Sequence, residues 1–575
     1  MRVPSDWPHR VRAGLLSFLR RPATIVFLVA SVFATVVTFP VILHFGDDIY
    51  GFPGDATGGV TQYWWWGYVL VHGGSIFDNT LEGVPLGSEW SQIPFVVLPL
   101  IVITPLSATI GPIASYNLLI LSSFPLTAWA TFLLVRRLGF GNLASAFAGL
   151  AFAFSPYHIE KAMGHGNQTH MEFIALTFYF LVRWRQGGRL RDAALAGVMA
   201  GLQLWMDYSL SYVLVFGLLA FFIVSALIPE DGPWTPRWVW RHVPAGALMT
   251  VVAALFGPLT LLTAHRPGPG SLGASLGAVH RSIVELQIYS ARINEYVEPW
   301  HDNPLVPAVV KTWEDARLHG SSWIENSLFL GYVVIVLALV GLVLNRRRFP
   351  TALGIGIGLV GAVMSEPPMA HLLGVQFNTP SHYLYNFISF FRVYARFAIL
   401  VMLGSSILAA AGFAALQTHA GGGRRQLLML VPFLLLGVEF NNMPPTHVTS
   451  ILPAPAEYTW LATQPQGILM EYPANSGQVP LRMETEIRQY MLYQMVHLHP
   501  TFLNESALNG TVADAAAELE PYYKPGVAER LKAYGVRYVF VHRADYIAAG
   551  WDVPTTVDGL TYVKTLDGVD IYLIG

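Results

Sequence analysis

Three carboxylates stand close together near the start of the chain, within residues 44–66 (HFGDDIYGFPGDATGGVTQYWWW): Asp47, Asp48 and Asp55. Asp48 and Asp55 are seven residues apart across Gly51, Pro53 and Gly54. A loop this rich in turn formers can fold back and aim both acids into one pocket. A carboxylate so held serves as general base on a hydroxyl, or orients a divalent ion that grips a phosphate. Trp64, Trp65 and Trp66 follow directly, and such rings suit a membrane–water boundary. The plainer alternative is a solvated loop in which Asp47 and Asp48 close a turn and Asp55 caps the next helix.

Two further stretches concentrate polar chemistry. Residues 155–172 (SPYHIEKAMGHGNQTHME) hold His158, His165 and His170 with Glu160, Lys161, Asn167 and Gln168. Lys161, His165 and His170 are the candidate substrate contacts there. His165 and His170 lack the i, i+4 spacing of a helical zinc pair, so metal ligation is the lesser reading. Residues 390–397 (FFRVYARF) carry Arg392 and Arg396 at i, i+4, a spacing that puts both on one helix face. Guanidinium forks bind phosphate, with the aromatics as a groove for an apolar chain; snorkelling at an interface is the alternative. Asp207, Glu325, Glu366 and Glu439 lie near expected helix ends and read as interfacial acids.

The elements that must position these groups are set by composition. The 575 residues are 53% hydrophobic and only 12% charged, with a mean hydropathy of +0.46. Soluble chains carry about 25% charged residues, so this is a polytopic membrane protein of at least two parts. A net charge of −2 gives no reason to expect a nucleic-acid partner. The absence of cysteine excludes disulfides, thiol catalysis and thiolate metal sites.

Apolar runs predict spans at residues 23–43, 116–135, 142–156, 170–184, 192–207, 210–228, 243–264, 327–344, 350–364, 395–416 and 427–440. The basic tail before the first (Arg2, Arg10, Arg12, Arg20, Arg21) marks the cytoplasmic side. That run reads as a retained span rather than a removed signal peptide. Residues 45–115 then hold no Lys or Arg but six acids, as an outer loop should. The apolar run at 94–110, with Pro94, Pro99 and Pro105, is assigned to the outer leaflet without crossing it. If it crossed, Arg136 and Arg137 and each later basic loop would fall outside. With it left out, the short inner loops hold Arg136 and Arg137; Arg183, Arg185, Arg189 and Arg191; Arg237 and Arg241; Arg346, Arg347 and Arg348; Arg424 and Arg425, against Lys161 and Arg392 in the short outer connections.

The fold expected is mostly α: a helical membrane bundle of about eleven spans over residues 1–442, N-terminus inside. It includes outer loops 45–115 and 265–326. A small α/β exoplasmic domain follows at 443–575. There, residues 467–472, 536–541 and 568–573 read as strands, and 484–496 and 525–534 as helices.

This layout resembles the GT-C class of membrane glycosyltransferases. The matching features are a first span, a long outer loop with acids near the span end (GDDIYGFPGDATGG), leaflet-parallel pieces (YWWWGYVLVHGG, IPFVVLPLIVITPL), and an inner Arg-Arg-Leu-Gly-Phe-Gly. More closely it is similar to bacterial GT-C-like proteins sharing ARINEYVEPWHDNPL, IENSLFLGY and FFRVYARFAILVMLGSSILAAAGF. The resemblance implies inverting transfer of a hexosyl or pentosyl unit, on the exoplasmic face of the plasma membrane. The donor would be a polyprenyl-phosphate sugar, and the acceptor a lipid, glycan or protein. Asp48 or Asp55 would be the base, with Asp47 beside it, and outer Arg residues would hold the carrier phosphate. Lys161, His165, His170, Arg392, Arg396, Trp64 and Trp65 would contact substrate. The acid pair is not spelled Asp-x-Asp, which leaves the base unassigned and a divalent cation, Mg or Mn, optional. Two other classes remain: a lipid-linked-glycan transporter, for which neither an inverted repeat nor a mid-span charge is evident, and a non-catalytic assembly or polysaccharide-binding protein.

Overall fold

The computed structural model describes residues 20–87, 96–228, 236–259, 282–315, 319–320, 322–345, 348–372, 375–389, 391–420, 423–443, 447–474, 487–504, 511–554 and 556–575. Arg2, Arg10, Arg12, Glu89, Arg346, Arg347, residues 484–486 and the Gly/Pro-rich start of the 265–326 loop lie outside the described residues. The chain divides into two compact units. One comprises residues 1–42, 119–261 and 279–446; the other comprises 43–118, 262–278 and 447–575.

The first unit is helical. A helix occurs in each of the eleven stretches expected to span. Among the described residues, five helices are long and apolar enough to cross a membrane: Pro112–Arg137, Tyr208–Leu227, His242–Leu259, Arg348–Ser365 and Tyr394–Thr418. The chain is therefore a membrane protein, and eleven spans is more than helix length and apolarity pick out. The Pro22–Val37 helix shows why. Pro22 sits in its first turn, where a missing N–H is harmless. The helix stops at Val37 rather than at the expected residue 43 because Pro40 cannot continue it and disfavours helical geometry at Phe39. At 16 residues it is about 24 Å long by the ~1.5 Å helical rise, short of a ~30 Å hydrocarbon core.

The Ala398–Ala420 helix packs against Tyr332–Leu344, Arg348–Ser365 and Asn142–Ala153. Two glycines permit the approach. A Cβ on Gly412 would collide with the Leu337 carbonyl, and one on Gly404 with the Gly354 carbonyl. Leu190–Met206 packs with Glu172–Gly187 and Pro236–Ala254.

In the second unit, the three-residue strand Asp48–Tyr50 pairs antiparallel with Val448–Ser450. The Asp55–His72 helix packs on Val97–Ile110, which is 14 residues long with Pro105 inside it. Strands Ile468–Tyr472, Val536–His542, Val569–Ile574 and Leu560–Leu566 form one sheet in that spatial order. The first pair is parallel and the others antiparallel. Alternation along Val536–His542 fills both faces. Val539 and Val541 enter one core with Tyr472 and Leu531, while Tyr538 and Phe540 enter another with Leu461 and Ile571. Three of these strands and the Val527–Ala533 helix fall where the sequence places them; the Leu560–Leu566 strand was not expected.

Candidate functional site

The acid loop belongs to the second unit. The His44 carbonyl accepts from the backbone N–H of both Asp47 and Asp48 at 2.9 Å, turning the chain. The Asp47 carbonyl then accepts from Ile451 and Leu452. Asn117 Nδ2 donates to the carbonyls of Phe45 (2.9 Å) and Asp48 (2.7 Å). The backbone around Asp48 is thus fixed on both sides. Its carboxylate is half-buried and carries no hydrogen bond or ion pair among the described residues. Asp47 is exposed.

Asp55 differs. The cap of the Asp55–His72 helix is Gly54, at φ 125°, with Thr57 Oγ1 bonded to it. Asp55 is therefore the first helical residue rather than the cap. Its carboxylate forms an ion pair with Arg488. Trp64 and Trp65 do not lie open: they are 8% and 3% exposed. The Trp65 indole donates to the Ser75 carbonyl at 3.0 Å and its ring stacks on Tyr68.

In the first unit, Lys161, His165 and Arg396 converge on one residue, Glu325. Lys161 comes from the Pro156–Ala162 helix and its ammonium pairs with Glu325 Oε2. Arg396 comes from the 3-10 turn Tyr394–Phe397; its Nη2 donates to Glu325 Oε1 at 2.7 Å and its Nη1 to Ser209 Oγ at 3.0 Å. His165 Nδ1 stands 3.5 Å from Glu325 Oε1. Ser209 in turn donates to Asp207, whose carboxylate caps the Tyr208–Leu227 helix by accepting from the Leu210 N–H at 2.8 Å. Two cations and two carboxylates therefore share a site in which Lys161 is wholly buried. Burial alone would raise the Glu325 carboxyl, but Arg396, Lys161 and His165 outweigh it and hold it well below the carboxylate range. Burial lowers the Lys161 ammonium to about 8 against the pull of Glu325.

The neighbours of this cluster are mainly structural. The Trp300 indole donates to Glu160 Oε1 at 2.8 Å, and burial pushes that carboxyl up to about 8. His158 stacks on Phe124 and burial pushes it down to about 3, so it is neutral. His170 places its ring nitrogens 2.8 Å from Glu172 Oε1 and 3.0 Å from the Leu119 carbonyl.

Arg392 and Arg396 do not share a helix face as their spacing predicts. The Ala398–Ala420 helix begins only after both, and residues 391–393 are irregular, held where Ala395 N–H donates to the Tyr289 carbonyl. Arg392 instead pairs with Glu285 (3.3 Å) over the Tyr289 ring, its side chain 43% exposed. Among the described residues no three His, Asp or Glu side chains gather to ligand a metal ion, so no residue set is assigned to Mg or Mn.

Sequence reading picked out Lys161, His165 and Arg396 as substrate contacts and Glu325 as an interfacial acid, but not their pairing. Glu325 is separated from Lys161 by 164 positions.

No family model matches the chain, and no curated protein matches it. Among solved structures it is similar to the mycobacterial arabinofuranosyltransferase AftD, over 96% of this chain and 41% of that one, with 14% identity and a TM-score of 0.54. It is also similar to the Archaeoglobus fulgidus oligosaccharyltransferase. A structure of that enzyme with Zn and sulfate is covered to 73%, at 12% identity and a TM-score of 0.49. One with an inhibitory peptide and a dolichol-phosphate is covered to 75%, at 13% identity and 0.48. Both neighbours are GT-C-type membrane glycosyltransferases. The likeness to AftD is one of fold, and this chain spans about two fifths of AftD's length.

Proposed function

We propose that this chain is a GT-C-type membrane glycosyltransferase that moves a hexosyl or pentosyl unit from a polyprenyl-phosphate carrier to a lipid, glycan or protein hydroxyl, with inversion. The observation that carries the reading is the Asp48 carboxylate: half-buried, on a backbone fixed by Asn117 and Ser450, and unpartnered among the described residues, within a chain similar in fold to part of AftD. A base needs a carboxylate free to take a proton, and Asp55 is already neutralised by Arg488.

In the step proposed, Asp48 takes the acceptor hydroxyl proton as that oxygen attacks the anomeric carbon. The bond from that carbon to the phosphate oxygen breaks on the opposite face, and the carrier leaves as its phosphate. Lys161, His165 and Arg396 act by holding the 323–326 turn and the start of the Ala398–Ala420 helix around Glu325. The eleven-span arrangement, with residues 45–115 and 443–575 on the exoplasmic side of the plasma membrane, is part of the same proposal.

The test is purified protein in lipid vesicles, offered polyprenyl-phosphate sugars one at a time with an acceptor panel, with and without Mg or Mn. Asp48→Asn is expected to lower turnover by at least about 100-fold, the scale of a lost general base. Asp55→Asn should cost far less. Equal turnover in wild type and Asp48→Asn would remove Asp48 as base. No turnover across the panel would move the assembly and transport readings ahead.

A further inference from the structure

Arg292, Glu295, His301, Glu314, His319 and Trp323 line a cavity of about 290 Å³ that none of the roles above uses. Its rim is built by hydrogen bonds that the sequence supplies in close succession. The Arg292 guanidinium donates to the Gln287 and Ser290 carbonyls, and its backbone N–H to Glu295 Oε2 at 2.8 Å. His319 Nε2 lies 3.0 Å from Glu295 Oε1, and Asn326 Nδ2 donates to both Glu295 oxygens. One wall is flat: the His301 ring stacks on Trp323, centroids 4.3 Å apart and 18° from parallel.

Glu314, from the Ala308–Asp315 helix, stands apart from this satisfied frame. It lines the cavity and is 3% exposed, yet among the described residues neither carboxylate oxygen has a hydrogen-bond partner. His319 Nδ1 is likewise buried and unpartnered. With Nε2–H given to Glu295, that nitrogen is an acceptor in the neutral ring. A buried carboxyl with no partner works against the fold. Such a group is completed by a water or a ligand that enters the cavity.

We propose that this cavity is a saccharide subsite that takes one neutral sugar ring, its face against the Trp323–His301 wall and its hydroxyls bonded to Glu314 and His319. The choice of a glycan over another polyol rests on the glycosyltransferase reading. Apolar ring faces pack on aromatic walls while hydroxyls meet side-chain acceptors, and the volume sits at the lower edge of the ~300–1,000 Å³ usual for small-molecule sites. Glu295, Glu298 and Glu314 together disfavour an anion. Burial pushes the Glu314 carboxyl up to about 7. Near neutral pH it therefore both donates and accepts, as a sugar hydroxyl does, and makes a poor counter-ion for an ammonium group.

The experiment uses the full chain in nanodiscs with no donor present. It is titrated with methyl glycosides of neutral pentoses and hexoses, and with an amino sugar and a hexuronic acid as controls, read by saturation-transfer NMR and tryptophan fluorescence. Neutral glycosides should bind, and Glu314→Leu and Trp323→Leu should each weaken binding about tenfold or more, while Glu314→Gln weakens it less. The thermal midpoint of Glu314→Leu should equal or exceed that of wild type, because an unsatisfied buried carboxyl is removed, so lost binding will not be lost folding. Failure of every neutral sugar to bind, binding that survives both leucine variants, or binding of the amino sugar alone overturns the proposal. Turnover without sugar binding sinks this inference only. Sugar binding that Glu314→Leu abolishes, with no turnover, sinks the transfer reading only.

Discussion

At the scale of single residues, charge is spent in two ways. Glu325 pairs with both Lys161 and Arg396, whose side chains are 0% and 14% exposed. Breaking a buried ion cluster by removing one member leaves an uncompensated charge and costs about 3–5 kcal/mol. Glu325→Gln should therefore unfold far more readily in detergent, by thermal or urea melts, whereas Arg392→Gln should lie within ~1 kcal/mol of wild type because that pair is open to solvent. The sign with pH follows from the cluster. Glu325 is held below its ordinary value, so its contribution is present above about pH 4.3 and is lost as pH falls toward the folded-state value. The stability gap between wild type and Glu325→Gln should shrink on acidification; a gap that stays constant would show that the charge of Glu325 is not what stabilises the cluster. Lys161, His165 and Arg396 were legible in the sequence because basic and imidazole groups are rare between apolar runs. Glu325 was read only as an interfacial acid, since the pairing that defines it joins segments 164 and 71 residues apart. The i, i+4 rule failed at Arg392 for a related reason: it presupposes a helix that starts only at Ala398.

At the scale of elements, the membrane helices are held by shape rather than by hydrophobicity, since lipid is as apolar as leucine. The Ala398–Ala420 helix carries Gly404, Ser405, Ser406, Ala409, Ala410, Ala411 and Gly412, and it meets Tyr332–Leu344 and Arg348–Ser365 through such small residues. A side chain at Gly412 would run into the backbone at Leu337 and Gly341. Overpacking of this kind costs about 1–3 kcal/mol or more, so Gly412→Val should lower the melting temperature clearly. Gly437→Ala is the control: its Cβ meets nothing within 4 Å, and alanine favours a helix by about 1 kcal/mol. Melting curves with the two variants alike would show that this contact is not tight. Apolar runs located the helices of this unit because burial and lipid both demand such runs. They did not locate ends such as Val37, where Pro40 decides, nor the pairing of Asp48–Tyr50 with Val448–Ser450, where hydrogen bonds join strands 400 residues apart. The free state of Asp48 and the occupied state of Asp55 follow from contacts of that range, so the sequence could name both acids but not choose between them.

At the scale of the whole molecule, the distribution of charge sets the membrane topology. Residues 45–115 hold six acids and no Lys or Arg, whereas the end of the Glu172–Gly187 helix and the turn into the Leu190–Met206 helix carry Arg183, Arg185, Arg189 and Arg191 within nine residues. Basic loops are retained on the cytoplasmic side, and acids contribute little to that choice. The acid loop and residues 443–575 should therefore lie outside, and the connection at Gln186 inside. Because the chain has no cysteine, a single introduced thiol is the sole site of maleimide reaction. Thr80, Gln186 and Asp558 are each exposed. Thr80→Cys and Asp558→Cys should react with a membrane-impermeant maleimide in intact cells, and Gln186→Cys only after permeabilisation. If Thr80→Cys reacted only after permeabilisation, Asp48 would face the cytoplasm and could not act on a carrier presented outside. If Thr80 and Asp558 reported opposite sides, the number of crossings between them would be odd rather than the even number deduced from charge, and the short 94–110 segment would be the first candidate for a span after all.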